Sequence, residues 1–254
     1  MRPLWKQSLY KLFLEGDTRR AIKQLRDLEY RLPSKEARFA VPFAFKGDRT
    51  FRSMKALQTP EEIEAVYRQV VDLQPRRVLE IGTAKGGTLY LWCQAAANDA
   101  TIVSIDLPSG KFGGGYDPPR ADLYNAFARD EQKLHLLRGD SHKPETHEKI
   151  RGLFNHQPID FVFIDGDHFY PGVKADFIEY SKMVRPGGLI AMHDICEATH
   201  DREIEVNQLW DQIKTALPTQ QLVFTDAVKG WRLGIGVITV PEGGIPQAVF
   251  ESLR

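Results

Sequence analysis

Arg77-Val-Leu-Glu-Ile-Gly-Thr-Ala-Lys-Gly-Gly-Thr88 is the stretch on which the reading of this chain turns. Val78, Leu79 and Ile81 form a short apolar run that stops at Gly82, and after Gly86 and Gly87 the sequence Thr88-Leu-Tyr-Leu-Trp92 opens a helical pattern. The pattern predicts a buried strand, a tight turn and a helix. Glycines in the turn let the backbone bend sharply and let a ligand lie directly on the chain, while the N–H groups of the first helical turn favour an anionic group. A glycine-rich turn also serves plain strand–helix packing, so the flanking segments have to decide between the two uses.

A second apolar run, Thr101-Ile-Val-Ser-Ile-Asp106, ends in an acid 24 residues after Gly82. A doubly wound sheet places a carboxylate there to accept the hydroxyls of a bound ribose, which points to a nucleoside ligand. No glycine stands two positions after Gly82, so the dinucleotide fingerprint G-x-G-x-x-G is missing and a nicotinamide cofactor is disfavoured. Further on, apolar runs at Leu134–Leu137, Phe161–Ile164 and Leu189–Met192 alternate with helical patterns at Tyr124–Gln132, Lys143–Phe154 and Val173–Met183. That alternation implies a parallel sheet with right-handed crossovers. Leu222–Thr225 and Leu233–Val240, joined by a turn holding Gly230, read as a hairpin-like pair. Thr59-Pro60-Glu61-Glu62 has the order of a capping box, with proline at the first helical position.

Taken together, Glu80-Ile-Gly-Thr-Ala-Lys-Gly-Gly87, Asp106, Gly139-Asp140-Ser141 and Ile164-Asp-Gly-Asp-His168 resemble a class I S-adenosylmethionine-dependent methyltransferase, over residues from about 60 to 240. Within that superfamily the chain is most similar to the O-methyltransferases grouped with the cephalosporin hydroxylase and macrolide or rhamnosyl O-methyltransferase families. The resemblance implies an α/β, Rossmann-like doubly wound seven-stranded sheet in the order 3-2-1-4-5-7-6, its last strand antiparallel. It implies S-adenosyl-L-methionine as cofactor, held by Glu80, Gly82, Thr83, Gly86, Gly87, Thr88, Asp106, Asp140, Ser141 and Asp165. Asp140 would accept the adenine amino group, although as a helix N-cap before Lys143-Pro144-Glu145 it is explained equally well.

Ligands of open α/β sheets bind beyond the carboxyl ends of the strands, and the residues after each apolar run here are unusually polar. Asp165, His193 and Asp194 occupy the positions that carry a divalent cation, magnesium or manganese, in metal-dependent relatives. Histidine at 193 departs from the oxygen donors usual there; it fits zinc, iron or manganese, or a donor behind the ligands. Asp194 also reads as the cap of a following helix. His168, three residues after Asp165, stands where the resembled enzymes place a general base, with Asp165 beside it as the second catalytic residue; hydrogen bonding to Asp167 or helix capping is its plainer reading. His135, His142, His147, His156 and His200 are assigned no chemistry, nor is Arg185-Pro-Gly-Gly188.

At 254 residues, 42% hydrophobic and 27% charged, the chain has the composition of a soluble globular protein with one catalytic core. Formal net charge is zero, so nucleic acid is not an expected partner, although the first 58 residues hold fourteen Lys or Arg against six Asp or Glu. Two cysteines, Cys93 and Cys196, make no disulfide framework, and no apolar run spans a bilayer, so a cytoplasmic protein is expected. Residues 1–58 read as an N-terminal helical appendage, 59–254 as the methyltransferase domain. The appendage shows two amphipathic patterns, at Leu4, Leu9, Leu12 and Phe13 and at Ala21, Ile22, Leu25 and Leu28; it packs on the core, caps the acceptor site, or forms a homo-oligomer surface. Leu107–Pro119, rich in Gly and Pro, is a lid or a surface insertion. The expected activity is O-methylation of a small-molecule hydroxyl on a sugar, phenol or natural product. A non-catalytic cofactor-binding protein on the same scaffold and a nicotinamide-dependent oxidoreductase are the rivals.

Overall fold

Residues 4–110, 115–198, 203–228 and 230–253 are described by the computed structural model. His200 and part of the Leu107–Pro119 loop, numbers 111–114, lie outside the described residues, as do the side chains of Leu4, Leu9 and Leu12. In chain order the elements are α1 (Leu4–Arg31), α2 (Lys35–Arg38), α3 (Val41–Ala44), a 3-10 turn (Arg49–Phe51), α4 (Pro60–Leu73), β1 (Arg77–Ile81), α5 (Gly87–Ala95), β2 (Thr101–Asp106) and α6 (Arg120–Asn125). They continue with β3 (Lys133–Arg138), α7 (Pro144–Leu153), β4 (Ile159–Ile164), α8 (Tyr170–Ser181), β5 (Val184–His193), α9 (Val206–Ile213), β6 (Thr219–Leu222), β7 (Ile235–Thr239) and α10 (Gln247–Ser252).

The apolar runs do become strands, because a strand flanked by parallel neighbours and covered by helices on both faces can hide apolar side chains on each side. Val78, Leu79, Glu80 and Ile81 of β1 are all buried, as is every residue of β4. β1 pairs in parallel with β2 and β4, and the sheet order is β3-β2-β1-β4-β5-β7-β6, with β7 antiparallel to β5 and β6. This is the order the resemblance implies. One helical layer packs Trp92 of α5 edge-on against Phe161, with ring centroids 4.8 Å apart. The opposite layer buries Phe177, Tyr180, Leu209, Trp210 and Ile213 of α8 and α9 against Leu79, Val103, Val162 and Ile190.

Four local readings need correction. The first is the pair of N-terminal helices, which is one continuous 28-residue helix. Gly16 lies within it, and a lone glycine costs only ~1 kcal/mol against alanine, too little to end a helix tied down by packing. β5 runs through Arg185-Pro-Gly-Gly188, which read as a turn; the irregularity is absorbed by a register shift opposite Ile159 and Phe161. β6 lies earlier than Leu222–Thr225 because its residues Gln220 and Gln221 are exposed, so this edge strand has no apolar signature. Finally, α6 is set at Arg120–Asn125 rather than Tyr124–Gln132: Arg129 and Gln132 close a turn instead and hydrogen-bond the last carbonyls around α5.

The segment 1–58 is not a loosely attached appendage. Ala21, Leu25, Val41, Phe45, Phe51 and Met54 share one hydrophobic cluster with Leu89, Trp92, Phe161 and Phe163. Its basic residues have identifiable uses: Arg38 Nη1 donates to Gln94 Oε1 at 2.8 Å, Arg26 Nη2 to Ala126 O at 2.6 Å, and Lys35 Nζ to Ala95 and Ala96 O at 3.3 Å. Lys35 thus sits at the electronegative C-terminus of α5.

A Cβ at Gly87 would fall 2.2 Å from Ala56 N and 2.5 Å from Met54 O, both backbone atoms. Gly87→Ala should therefore cost roughly 1–3 kcal/mol and lower the melting temperature by about 2–10 °C in scanning calorimetry. An unchanged melting temperature would mean that residues 54–56 do not rest on α5 in solution.

Candidate active site

The turn after β1 is built by a close approach. Gly82, at φ +97°, donates its N–H to Ile105 O at 2.9 Å, and a Cβ there would lie 2.0 Å from Asp165 O. Asp165 N–H in turn donates to Ile81 O at 2.8 Å. The ends of β1, β2 and β4 are thereby fixed to one another, and a cavity of about 700 Å³ opens beyond them. Its volume lies within the roughly 300–1,000 Å³ of small-molecule sites.

Of the residues predicted from sequence, Gly82, Asp106, Asp140, Ser141, Asp165, His168, His193 and Asp194 line this cavity. Glu80, Thr83, Gly86, Gly87 and Thr88 stand behind it. Thr83 Oγ1 and Ser104 Oγ are 2.6 Å apart, and Ser104 Oγ donates to Glu80 Oε2 at 2.6 Å, so these side chains brace the turn from within. Glu80 is fully buried, and burial pushes its pKa to about 8, above the ordinary 4.5, against the opposing hydrogen bonds from Ser104 and Thr88. Asp106 is held on both oxygens: Ala84 N–H donates to Oδ2 at 2.7 Å and Gly115 N–H to Oδ1 at 2.9 Å. Each carboxylate oxygen has a second lone pair, so these bonds orient Asp106 and leave acceptor capacity for a ribose hydroxyl.

The opposite half of the cavity holds a connected set of ionisable groups. His168 Nδ1 is 2.5 Å from Asp194 Oδ2. His193 Nδ1 lies 3.1 Å from Asp194 Oδ1 and 3.2 Å from Asp165 Oδ1, bridging the two carboxylates. Gln58 Nε2 donates to Asp165 Oδ2 at 2.6 Å. Asp194 takes φ +62°, a left-handed conformation that Asp tolerates better than most residues and that aims its carboxylate back into the site. Burial, the largest influence on both histidines, pulls their pKa values down; the adjacent carboxylates outweigh it, leaving His168 raised and His193 at about 9.

Asp165, His168 and Asp194 can each offer one ligand atom with all three within 4.8 Å of one another. The histidine in this set is His168, whereas His193, expected as a ligand from the sequence, is 6% exposed and contacts both carboxylates through Nδ1. Two carboxylates and an imidazole suit manganese or magnesium, completed by further oxygen donors. Sequence reasoning missed Gln58, placed in a segment given no chemistry, and His142, which lines the cavity beside Asp140. Position after a strand end could have found His142, which directly follows Ser141, whereas Gln58 reaches the site only through the tertiary fold.

This strand order, with a glycine turn and an acidic strand end on one cavity, defines the class I methyltransferase fold. Residues 79–195 match the family model Methyltransf_24, described as a methyltransferase domain. Among curated proteins, the uncharacterized protein y4gI of Sinorhizobium fredii is 28% identical over 153 residues, covering 58% of this chain and 16% of that protein. The mycinamicin VI 2''-O-methyltransferase of Micromonospora griseorubida is 28% identical over 132 residues, covering 49% of this chain and 28% of that protein. The chain therefore spans well under half the length of the curated relatives it matches. Among solved structures, the O-methyltransferase TomG from Streptomyces achromogenes, in complex with SAM, superposes with a TM-score of 0.53 at 18% identity, covering 82% of this chain and 88% of TomG. No described helix is long and apolar enough to cross a membrane.

Glu80 yields a stability test. Its raised folded-state pKa means that the protonated form stabilises the fold at low pH, and that this contribution is lost as pH rises from 4.5 through about 8. Glu80→Gln, which cannot ionise, should lose less melting temperature than the wild type between pH 5 and pH 9. Parallel curves for the two proteins would show that Glu80 is ionised in the folded state.

Proposed function

We propose that the protein is an S-adenosylmethionine-dependent O-methyltransferase acting on a hydroxyl of a small molecule. The observation that carries this reading is a single cavity joining the Gly82 turn and Asp106 to the Asp165–His193–Asp194–His168 cluster. The first half suits a nucleoside cofactor and the second suits removal of a proton from an acceptor. The named relatives methylate mycinamicin VI or serve tomaymycin synthesis, and both names favour a natural-product acceptor here. Leu57 and Leu107, 59% and 48% exposed at the cavity wall, offer apolar surface to such a molecule.

When bound, S-adenosylmethionine supplies an electrophilic methyl group. Asp106 would orient the ribose, and the backbone of Gly82 and Ala84 would lie against the cofactor without a side chain intervening. Holding two reactants close and collinear can supply roughly 7–11 kcal/mol of a barrier. His168 donates Nδ1–H to Asp194, which fixes the tautomer with the lone pair on Nε2, placed to accept the proton of a hydroxyl held in the cavity. Its raised pKa makes it a stronger base than free imidazole.

A divalent cation would be held by Asp165 and Asp194 and would polarise the acceptor hydroxyl. The two roles of His168 exclude each other at Nε2, because a lone pair bound to a metal cannot take a proton.

Asp106→Ala should weaken S-adenosylhomocysteine binding about tenfold to a hundredfold in titration calorimetry. Unchanged affinity would remove Asp106 from the cofactor site. His168→Ala should keep both cofactor affinity and Mn2+ binding, followed by electron paramagnetic resonance, while methyl transfer falls about a hundredfold to ten-thousandfold. If Mn2+ binding is lost with the histidine, His168 is a metal ligand and the base lies elsewhere. A chelator should abolish transfer in the wild type and leave cofactor binding intact.

A further inference from the structure

His142 follows β3 in the loop that carries Asp140 and Ser141, and about a third of its side chain is exposed to the cavity. The loop is firmly built. Ser141 O accepts from Tyr180 Oη at 2.7 Å and lies 2.7 Å from His147 Nε2, while Asp140 Oδ1 accepts from His142 N–H at 2.9 Å. Behind the imidazole stands Asp176 of α8, completely buried, with its Oδ1 3.3 Å from His142 Nε2 and neither oxygen in a well-formed hydrogen bond. Nothing in the fold's packing calls for a buried carboxylate at this point.

Deepening the reading of a nucleoside cofactor, in which Asp140 is expected to accept from the adenine amino group, we propose that His142, oriented by Asp176, donates Nδ1–H to the ring nitrogen beside that amino group. His142 is then a cofactor-binding residue and Asp176 a positioning residue. An acceptor and a donor side by side match an edge that presents an amino donor beside a ring acceptor. In this structure Asp140 Oδ1 and His142 Nδ1 are 3.7 Å apart.

The polarity of Nδ1 follows from proton counting. Whether the proton between His142 and Asp176 rests on Nε2 or on the carboxyl group, Nδ1 carries its own hydrogen. Once the pair loses that proton, the buried carboxylate retains the remaining one at Nε2, and Nδ1 becomes an acceptor facing a ring nitrogen. The charged groups around the imidazole favour the donor state. Asp176, Asp140 and Asp167 raise the pKa of His142 to about 9, with the Asp176 hydrogen bond the largest influence and partial burial opposing it. Lys143, 3.8 Å from Asp140 Oδ2, is the nearby cation.

The probe is 5′-methylthioadenosine, which lacks the α-amino group that would titrate in the same range. Titration calorimetry at pH 7 should show His142→Ala binding it about tenfold more weakly than wild type, His142→Gln recovering most of the loss through its amide donor, and 5′-methylthioinosine binding wild type at least tenfold more weakly. Between pH 7 and pH 10 wild-type affinity should fall and His142→Gln affinity should not. Wild-type affinity in His142→Ala, or the same pH dependence in His142→Gln, overturns the proposal. So does a variant with a lower melting temperature and unchanged affinity, which marks a structural histidine. Should His142→Ala fail to fold, the pH dependence of wild type against His142→Gln decides alone. Absence of binding of either S-adenosylhomocysteine or methylthioadenosine to wild type would instead reject the cofactor reading.

Discussion

The contact between the ends of β1 and β4 is the constraint on which the site depends. Only glycine fits at position 82, because any Cβ would overlap the Asp165 carbonyl, and only with that approach do Gly82 N–H and Asp165 N–H find their partners in Ile105 and Ile81. Closing the strand ends in this way fixes where Asp106 and Asp165 stand relative to each other. The Asp106 side and the Asp165 side of the cavity are therefore set by the same strand-end contacts.

Placing Asp165 and Asp194 side by side at that edge creates an electrostatic cost that the surrounding side chains offset. Two carboxylates in a low-dielectric site repel each other. His193, buried between them and held cationic, is the internal counter-charge; Gln58 and His168 satisfy the outer oxygens. A bound cation would join a site that is already partly neutralised. His193 lies under the carboxylates and orients them.

The turn after β1 and the acid at the end of β2 were legible in the sequence, because they rest on short-range signals. An apolar run ending in glycine, and a second ending in an acid at the next strand, are fixed by the parallel βαβ geometry whatever the rest of the chain does. The Asp165, His168, His193 and Asp194 cluster was legible as a set of polar residues after strand ends, though not as a connected network. That Nδ1 of His193 faces both aspartates while His168 completes the cluster depends on side-chain directions that no spacing encodes. The polar edge strand β6 and the uninterrupted α1 were hidden for a related reason: packing decided both against weak local propensities.

The segment before α4 shows best why function and domain boundary separate poorly here. Position 58 was the natural place to divide the chain, since Thr59-Pro60-Glu61-Glu62 has the order of a capping box, although Thr59 makes no side-chain cap on α4. Yet Gln58 is 4% exposed, donates to Asp165, and has its other amide atom buried without a partner. One turn on, Glu62 accepts Phe224 N–H at 3.0 Å and so ties the start of α4 to the chain between β6 and β7, whose residues Asp226, Trp231 and Leu233 also line the cavity. One wall of the cavity is therefore assembled from segments outside the β1–β5 core, and the wall with Gly82 and Asp106 from the core itself. Substitutions in the former can reshape one wall of the cavity without disturbing Gly82 or Asp106, which are held by the strand ends.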